Sequence, residues 1–259
     1  MPYLSRIRIN PRRAAARNLI ASPQAMHAAV QSGLPGEPSD ERTLWRLDGD
    51  NPHRPHLFVL TQSRPDWNHL VEQAGWPDAD GEHYAVRDYT PVLQQLALGR
   101  EFAFRLTASP VQNTNRPIKP TKNQRERLDA GYTRSFRIGH RTATAQLQWL
   151  LDRTGRCGFT IPPARLSDAG ADHAVPGLPD SDAQDEQPRD VRLIRHQRHS
   201  FDKGPLTKDQ RVVMQAVTFE GRLQVTDPQL LTQHLLGGIG PSKAYGCGLL
   251  TVAPLATGR

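Results

Sequence analysis

Along the first ninety residues, apolar and polar positions alternate with two different periods. Tyr3-Leu4-Ser5-Arg6-Ile7-Arg8-Ile9 puts Ile7 and Ile9 on one side of an extended chain and Arg6 and Arg8 on the other, the period of a half-buried strand. Asn10-Pro11 then predicts a helix start, with Asn10 as N-cap and Pro11 in the first turn, running Arg12 to Ile20 and breaking at Ser22-Pro23. Ser22 caps a second helix, Gln24 to Gln31, which Gly33 closes and which carries His27 in its second turn. Thr43 to Leu47 and Leu57 to Gln62 predict strands around a polar turn, and Pro65-Asp66-Trp67 opens a helix to Gln73. A last, weakly marked strand in the Tyr84 to Val92 region completes a β-α-β-β-α-β order, the ferredoxin-like arrangement.

The pattern then restarts. In Glu101 to Thr107, Phe102, Phe104 and Leu106 share one face, which reads as a buried strand face and not a base-stacking platform. Ala143, Leu147, Leu150 and Leu151 form a helical stripe. Val191 to His196 and Val212 to Phe219 predict strands, Glu220-Gly221 a turn into Leu223 to Val225, and Asp227-Pro228 a helix through Leu235. Leu249 to Ala253 is the last strand. The reading is an α+β chain of two tandem ferredoxin-like (RRM-like, βαββαβ) domains, residues 1–98 and 99–259, each an antiparallel sheet with helices on one face. Pro110 to Tyr132 reads as a long polar loop or partly ordered arm, and residues 166–190 as a disordered insertion.

Charge changes this picture more than composition does. The 259-residue chain carries a net +7, but residues 166–190 hold seven acids against Arg189 alone; that segment is −6, leaving +13 on the rest. A body that basic points to a polyanion partner. Hydrophobic residues make up 37% and are spread along the chain, which excludes a disordered protein, and no apolar run is long enough to span a membrane. Cys157 and Cys247 neither demand a disulfide nor suffice for a structural zinc site, and the ten histidines form no ligand cluster with cysteines or carboxylates, so neither metal nor cofactor is expected. A cytoplasmic location follows from the missing apolar signal core.

Gly237-Gly238-Ile239-Gly240-Pro241-Ser242-Lys243-Ala244-Tyr245-Gly246-Cys247-Gly248 carries the most specific chemistry. Glycines let backbone N–H groups approach a phosphate, and Lys243 adds a point charge. The segment follows a helix and leads into a strand, which excludes a dinucleotide fingerprint, and it lacks the Walker order. Its residues alone leave a tight structural turn and a phosphate contact equally open.

This run, with Leu249-Leu250-Thr251-Val252-Ala253-Pro254 after it, resembles the C-terminal glycine-rich loop of the CasE family, the CRISPR repeat-processing endoribonucleases of the type I-E Cascade system in the RAMP superfamily. Tyr3-Leu4-Ser5-Arg6, Pro23-x-x-Met26-His27, Trp45-Arg46-Leu47, Phe104 to Pro110 and Gln215 to Leu223 match in order, so the resemblance spans nearly the whole chain. It implies a metal-independent endoribonuclease that binds the repeat hairpin and cuts on the 3′ side of its stem. The 2′-OH attacks the adjacent phosphorus, giving a 2′,3′-cyclic phosphate (or 3′-phosphate) and a 5′-OH. The protein then keeps the mature crRNA among the other Cascade subunits, and is itself monomeric when free. A non-catalytic hairpin-binding subunit of the same complex is the alternative reading.

The family's catalytic histidine falls on His27, and an imidazole that titrates near neutral pH can act as base or acid. Certain members carry a tyrosine three residues earlier, where this chain has Gln24, and some a lysine five residues later, where it has Ser32. Gln24 can hydrogen-bond but cannot transfer a proton at neutral pH, and with Ser32 in place of the lysine, phosphate charge falls to Arg17 or Lys243. The resemblance places RNA contacts on Arg134, Arg137 and Arg141, on Arg192, Arg195, Arg198 and Lys203, and on Gly238, Gly240, Ser242 and Lys243 of the glycine-rich loop.

Overall fold

The structure is a computed structural model and describes residues 1–36, 41–165, 187–202 and 211–255. In the first half, β1 (Tyr3–Arg8), α1 (Ala14–Ala21), α2 (Pro23–Gln31), β2 (Leu44–Asp48), β3 (His56–Thr61), α3 (Asn68–Ala74) and β4 (Tyr84–Asp88) precede a short α4 (Thr90–Leu93). The strands form one antiparallel sheet in the order β2-β3-β1-β4, the ferredoxin-like order. Ile7, Trp45, Leu57 and Val59 point to one face and are buried with Met26 and Val30 of α2 and Trp67 and Leu70 at α3. Helix α1 starts later than its sequence suggests. Asn10 Oδ1 accepts the Arg12 amide at 3.0 Å in a tight turn before the helix, and Arg13 occupies the N-cap position with no side-chain cap.

The second half runs β5 (Glu101–Ala108), β6 (Val111–Thr114), α5 (Lys122–Asp129), β7 (Phe136–Gly139), α6 (Ala143–Thr154), β8 (Phe159–Thr160), β9 (Val191–Asp202), β10 (Arg211–Val225), α7 (Pro228–Gly237) and β11 (Leu250–Ala253). Its sheet is ordered β11-β5-β10-β8, with β9 also on β10, so the same permutation recurs. Phe102, Phe104 and Leu106 are core, packed with Trp149, Leu150, Leu231 and Leu235 of α6 and α7.

Three expectations are corrected here. Pro110 to Tyr132 is not one loop: β6 pairs with β7, and α5 begins at a capping box in which Thr121 and Gln124 each bond the other's backbone. Gly221 is not a turn. It lies inside the continuous β10, where a Cβ would sit 2.1 Å from the Asp190 carbonyl, so glycine serves a close approach between strands. The end of the acidic insertion is ordered: Arg222 donates to Asp190 (2.8 Å) and Glu101 (3.0 Å), and the Ala164 amide to the Pro188 carbonyl (2.7 Å). Residues 166–186 lie outside the described residues.

The two sheets meet along the β2 edge. Leu44, Leu60 and Tyr89 pack on Leu249. Beside them Arg46 is buried, donates to Asp48 (2.6 and 2.8 Å), and reaches across to the carbonyls of Arg105 (3.0 Å) and Leu249 (3.1 Å) and to Thr251 Oγ1 (2.9 Å). Arg105 answers from β5, paired with Asp48 (3.1 Å), Asp50 (2.6 Å) and Glu220. Buried charges held this completely cost little while every partner stays in place, and they fix one relative placement of the two sheets.

Candidate RNA-processing site

Helix α2 is positioned by both its ends and one flank. The Ala25 amide donates to Ser22 Oγ at 3.2 Å, Pro23 fills the first turn, and Pro23, Met26 and Val30 are buried against the sheet. On the flank toward α3, His69 Nε2 lies 2.9 Å from the Ala29 carbonyl and 3.2 Å from Ser32 Oγ. Gln24, His27 and Gln31 occupy the other flank at helical spacing, each half-buried. The Nδ1 of His27 and the Oε1 of Gln31, one turn apart, are buried and have no hydrogen-bond partner among the described residues. Burial lowers the His27 pKa below the ordinary imidazole value, so the ring is neutral at pH 7.

Against α2 and β2 packs a short 3₁₀ turn, Lys243–Tyr245, in the middle of the glycine-rich segment. The glycines there serve close packing. Gly246 has φ 78°, and a Cβ on it would lie 2.6 Å from the Trp45 ring; Gly240 has φ 81° and the same relation, at 2.9 Å, to Trp149. Gly238 lies under Leu44. Lys243 is half-buried, and its Nζ donates to the Gly237 carbonyl at 2.5 Å, capping the C-terminus of α7. Burial and the nearby Arg42 lower its pKa. Tyr245 stands edge-on to Phe201 at 4.9 Å and ties the turn to β9.

Two clefts flank this turn and share Tyr245. The larger, about 1160 Å³, brings together Gly240, Ser242 and Lys243 with Arg137, Arg141 and Arg198. It adds Arg42, His196 and Gln215, which the sequence reading did not single out. The smaller, about 440 Å³, lies between α1, α2, β2 and the β9–β10 face and holds Arg17 and Arg195. Arg192 is elsewhere, paired with Glu220 at 3.4 Å, Arg134 is exposed and lines neither cleft, and Lys203 lies outside the described residues. His27 also lines neither cleft; its helix packs on the turn that the two clefts flank. Arg42 and Gln31 carry no sequence signal of their own, since both matter only through tertiary placement. Among the described residues no helix is long and apolar enough to cross a membrane.

Residues 2–254 match the family described as CRISPR associated protein. The chain is 30% identical over 257 residues to the CRISPR-associated endoribonuclease Cse3 of Thermus thermophilus, covering 97% of this chain and 100% of that protein. It is 27% identical over 216 residues to the CRISPR system Cascade subunit CasE of Escherichia coli, 82% of this chain and 89% of the other. Among solved structures, Thermus thermophilus Cse3 bound to an RNA representing a pre-cleavage complex superposes with a TM-score of 0.68 at 27% identity, over 98% of this chain and 99% of that one.

Proposed function

The chain belongs to the CRISPR associated protein family, in its CasE type, and from that membership we propose that it is the endoribonuclease that processes CRISPR repeat RNA, with His27 moving the proton. It binds the repeat hairpin of precursor RNA and cuts on the 3′ side of the stem. It then stays on the mature crRNA as a subunit of a type I-E Cascade, in the cytoplasm. Residues 1–98 carry the histidine, and residues 99–259 carry the basic groove except for Arg42.

The observation that supports this most is the packing of the His27 helix on the turn that walls a groove lined by Lys243, Arg42, Arg137, Arg141 and Arg198. Phosphates held there leave a ribose 2′-OH to attack the adjacent phosphorus. The P–O5′ bond breaks, a 2′,3′-cyclic phosphate forms, and a proton passes from the 2′-oxygen to the departing 5′-oxygen. His27, neutral at pH 7, is suited to accept the first proton. Lys243 keeps two N–H groups beyond its bond to Gly237 and, with Arg42, meets charge that grows on the phosphate.

The departures at Gln24 and Ser32 favour one second reading, a subunit that binds the hairpin without cutting it. Repeat RNA incubated with the protein in EDTA decides between them. The enzyme releases a fragment ending in a cyclic phosphate, and His27→Ala slows that cut by about 10²–10⁴-fold while hairpin affinity holds. Tight binding with an intact RNA would establish the second reading.

A further inference from the structure

The face of the first sheet turned away from α1–α3 changes character from one end to the other. Its register sets Leu4, Leu44 and Leu60 in one row, Arg46, Phe58 and Arg6 in the next, and Asp48, His56 and Arg8 in the last. The second half covers the first row and Arg46. Arg6 remains exposed, and Arg8 and His56 are half-buried. With exposed Arg54 from the β2–β3 turn they line a concave cleft of about 270 Å³, whose wall includes half-buried Trp76.

These cations have no partner to explain them. Among the described residues Arg6, Arg8 and Arg54 form no ion pair, and the carboxylates are paired with other arginines: Glu82, which also lines the cleft, with Arg87 at 3.1 Å, and Asp48 with Arg46 and Arg105. His56 feels the repulsion, its pKa lowered by burial and then by Arg6 and Arg8, with Asp48 opposing. Pro55 lines both this cleft and the one holding Arg17 and Arg195, and Tyr245 joins that second cleft to the Lys243 groove. The middle cleft thus shares a wall residue with each of the other two concavities.

We infer that Arg6, Arg8, Arg54 and His56 form a separate binding site for single-stranded RNA adjoining the hairpin, reached from the cutting groove through the Arg17–Arg195 cleft. This rests on the RNA-binding reading above. A narrow concave site with one aromatic wall fits a single strand, whose phosphates it neutralises and whose bases have a flat surface to meet, whereas a duplex is too wide for it.

The test measures affinity for four RNAs carrying a 2′-deoxy sugar at the cut: the hairpin alone, the hairpin with a 5′ or a 3′ flank of about 8 nucleotides, and a single strand with no hairpin. In the variant carrying R6A, R8A and R54A, binding to a flanked hairpin and to the single strand is expected to fall about 10-fold, and the salt slope by about 2, three phosphate contacts at roughly 0.7 each. The hairpin alone should bind as before, and the flank that responds identifies the strand. Arg54→Glu, on an exposed turn, should act the same way with no risk to the fold. Unchanged affinity for both flanked RNAs and the single strand overturns the inference. So does an equal loss on the bare hairpin. A wild-type protein that fails to bind the hairpin defeats the broader reading instead, and the single-strand arm still tests the patch.

Discussion

The seam between the sheets and the groove beside the glycine-rich turn are both built around arginines, and the two sets differ in every respect but residue type. At the seam, Arg46 and Arg105 have carboxylates and carbonyls on nearly every donor, and Arg222 is held the same way by Asp190, Glu101 and the Pro163 carbonyl. In the groove, Arg42, Arg137, Arg141 and Arg198 form no ion pair among the described residues. A guanidinium with all its donors satisfied inside the protein has nothing left for a ligand; one kept open beside other cations is stable only because solvent or a polyanion meets it. The seam fixes geometry, and the groove uses it.

Arg46→Ala should break the comparison most severely. It strips Asp48, the Leu249 carbonyl and Thr251 of a partner at once in a buried place, and breaking such a network costs about 3–5 kcal/mol. Denaturant unfolding would register that loss. The molecules still folded should show an unaltered salt dependence of RNA binding, since Arg46, although it borders the smaller cleft, has its donors on Asp48, Arg105, Leu249 and Thr251. A loss below about 0.5 kcal/mol would mean that the apolar contact of Leu44, Leu60 and Tyr89 with Leu249 holds the sheets unaided.

This division explains what was legible beforehand. Local signals carried far: Ser22-Pro23 placed α2 and with it His27, and the alternation of Phe102, Phe104 and Leu106 marked a core strand. Gly221 misled because a glycine admitted for close approach to Asp190 looks like one admitted for a turn. Helix α5 was missed because it has no buried residue and hence no apolar stripe; the Thr121-x-x-Gln124 capping box was the signal available. For the candidate site, the motifs singled out His27 and Lys243, and the structure packs the helix of the one on the turn of the other. The resemblance grouped Arg192 with Arg195 and Arg198, although its long-range pairing with Glu220 separates it from them.

Arg198→Ala sharpens the contrast from the other side. Arg198 is exposed on β9 and lines the groove, so its loss should leave unfolding within about 0.5 kcal/mol of wild type. Hairpin affinity should weaken uniformly across sequences, and the salt slope should fall by about 1. An unchanged slope, measured by repeating the binding titration across ionic strengths, would remove Arg198 from the set that contacts phosphate.

The smallest expected effect comes from pH, and its sign carries the information. Seam charges are locked by partners, whereas His27 is shifted by burial alone, which disfavours its cationic form. If His27 takes the 2′-OH proton, single-turnover cutting is nearly flat from about pH 7 upward and declines on an acid limb whose midpoint lies below the usual imidazole value near 6.5. If it instead donates to the 5′-oxygen in the limiting step, the rate falls as pH rises through that same range. Stability follows the same shift with a fixed sign: as pH drops below about 6.5, an unfolded His27 binds a proton that the folded one resists, so the native state loses stability toward acid. A rate profile whose midpoint lay above the ordinary imidazole value would require a carboxylate or phosphate beside the ring, and the assignment of His27 as a neutral base would fall with it.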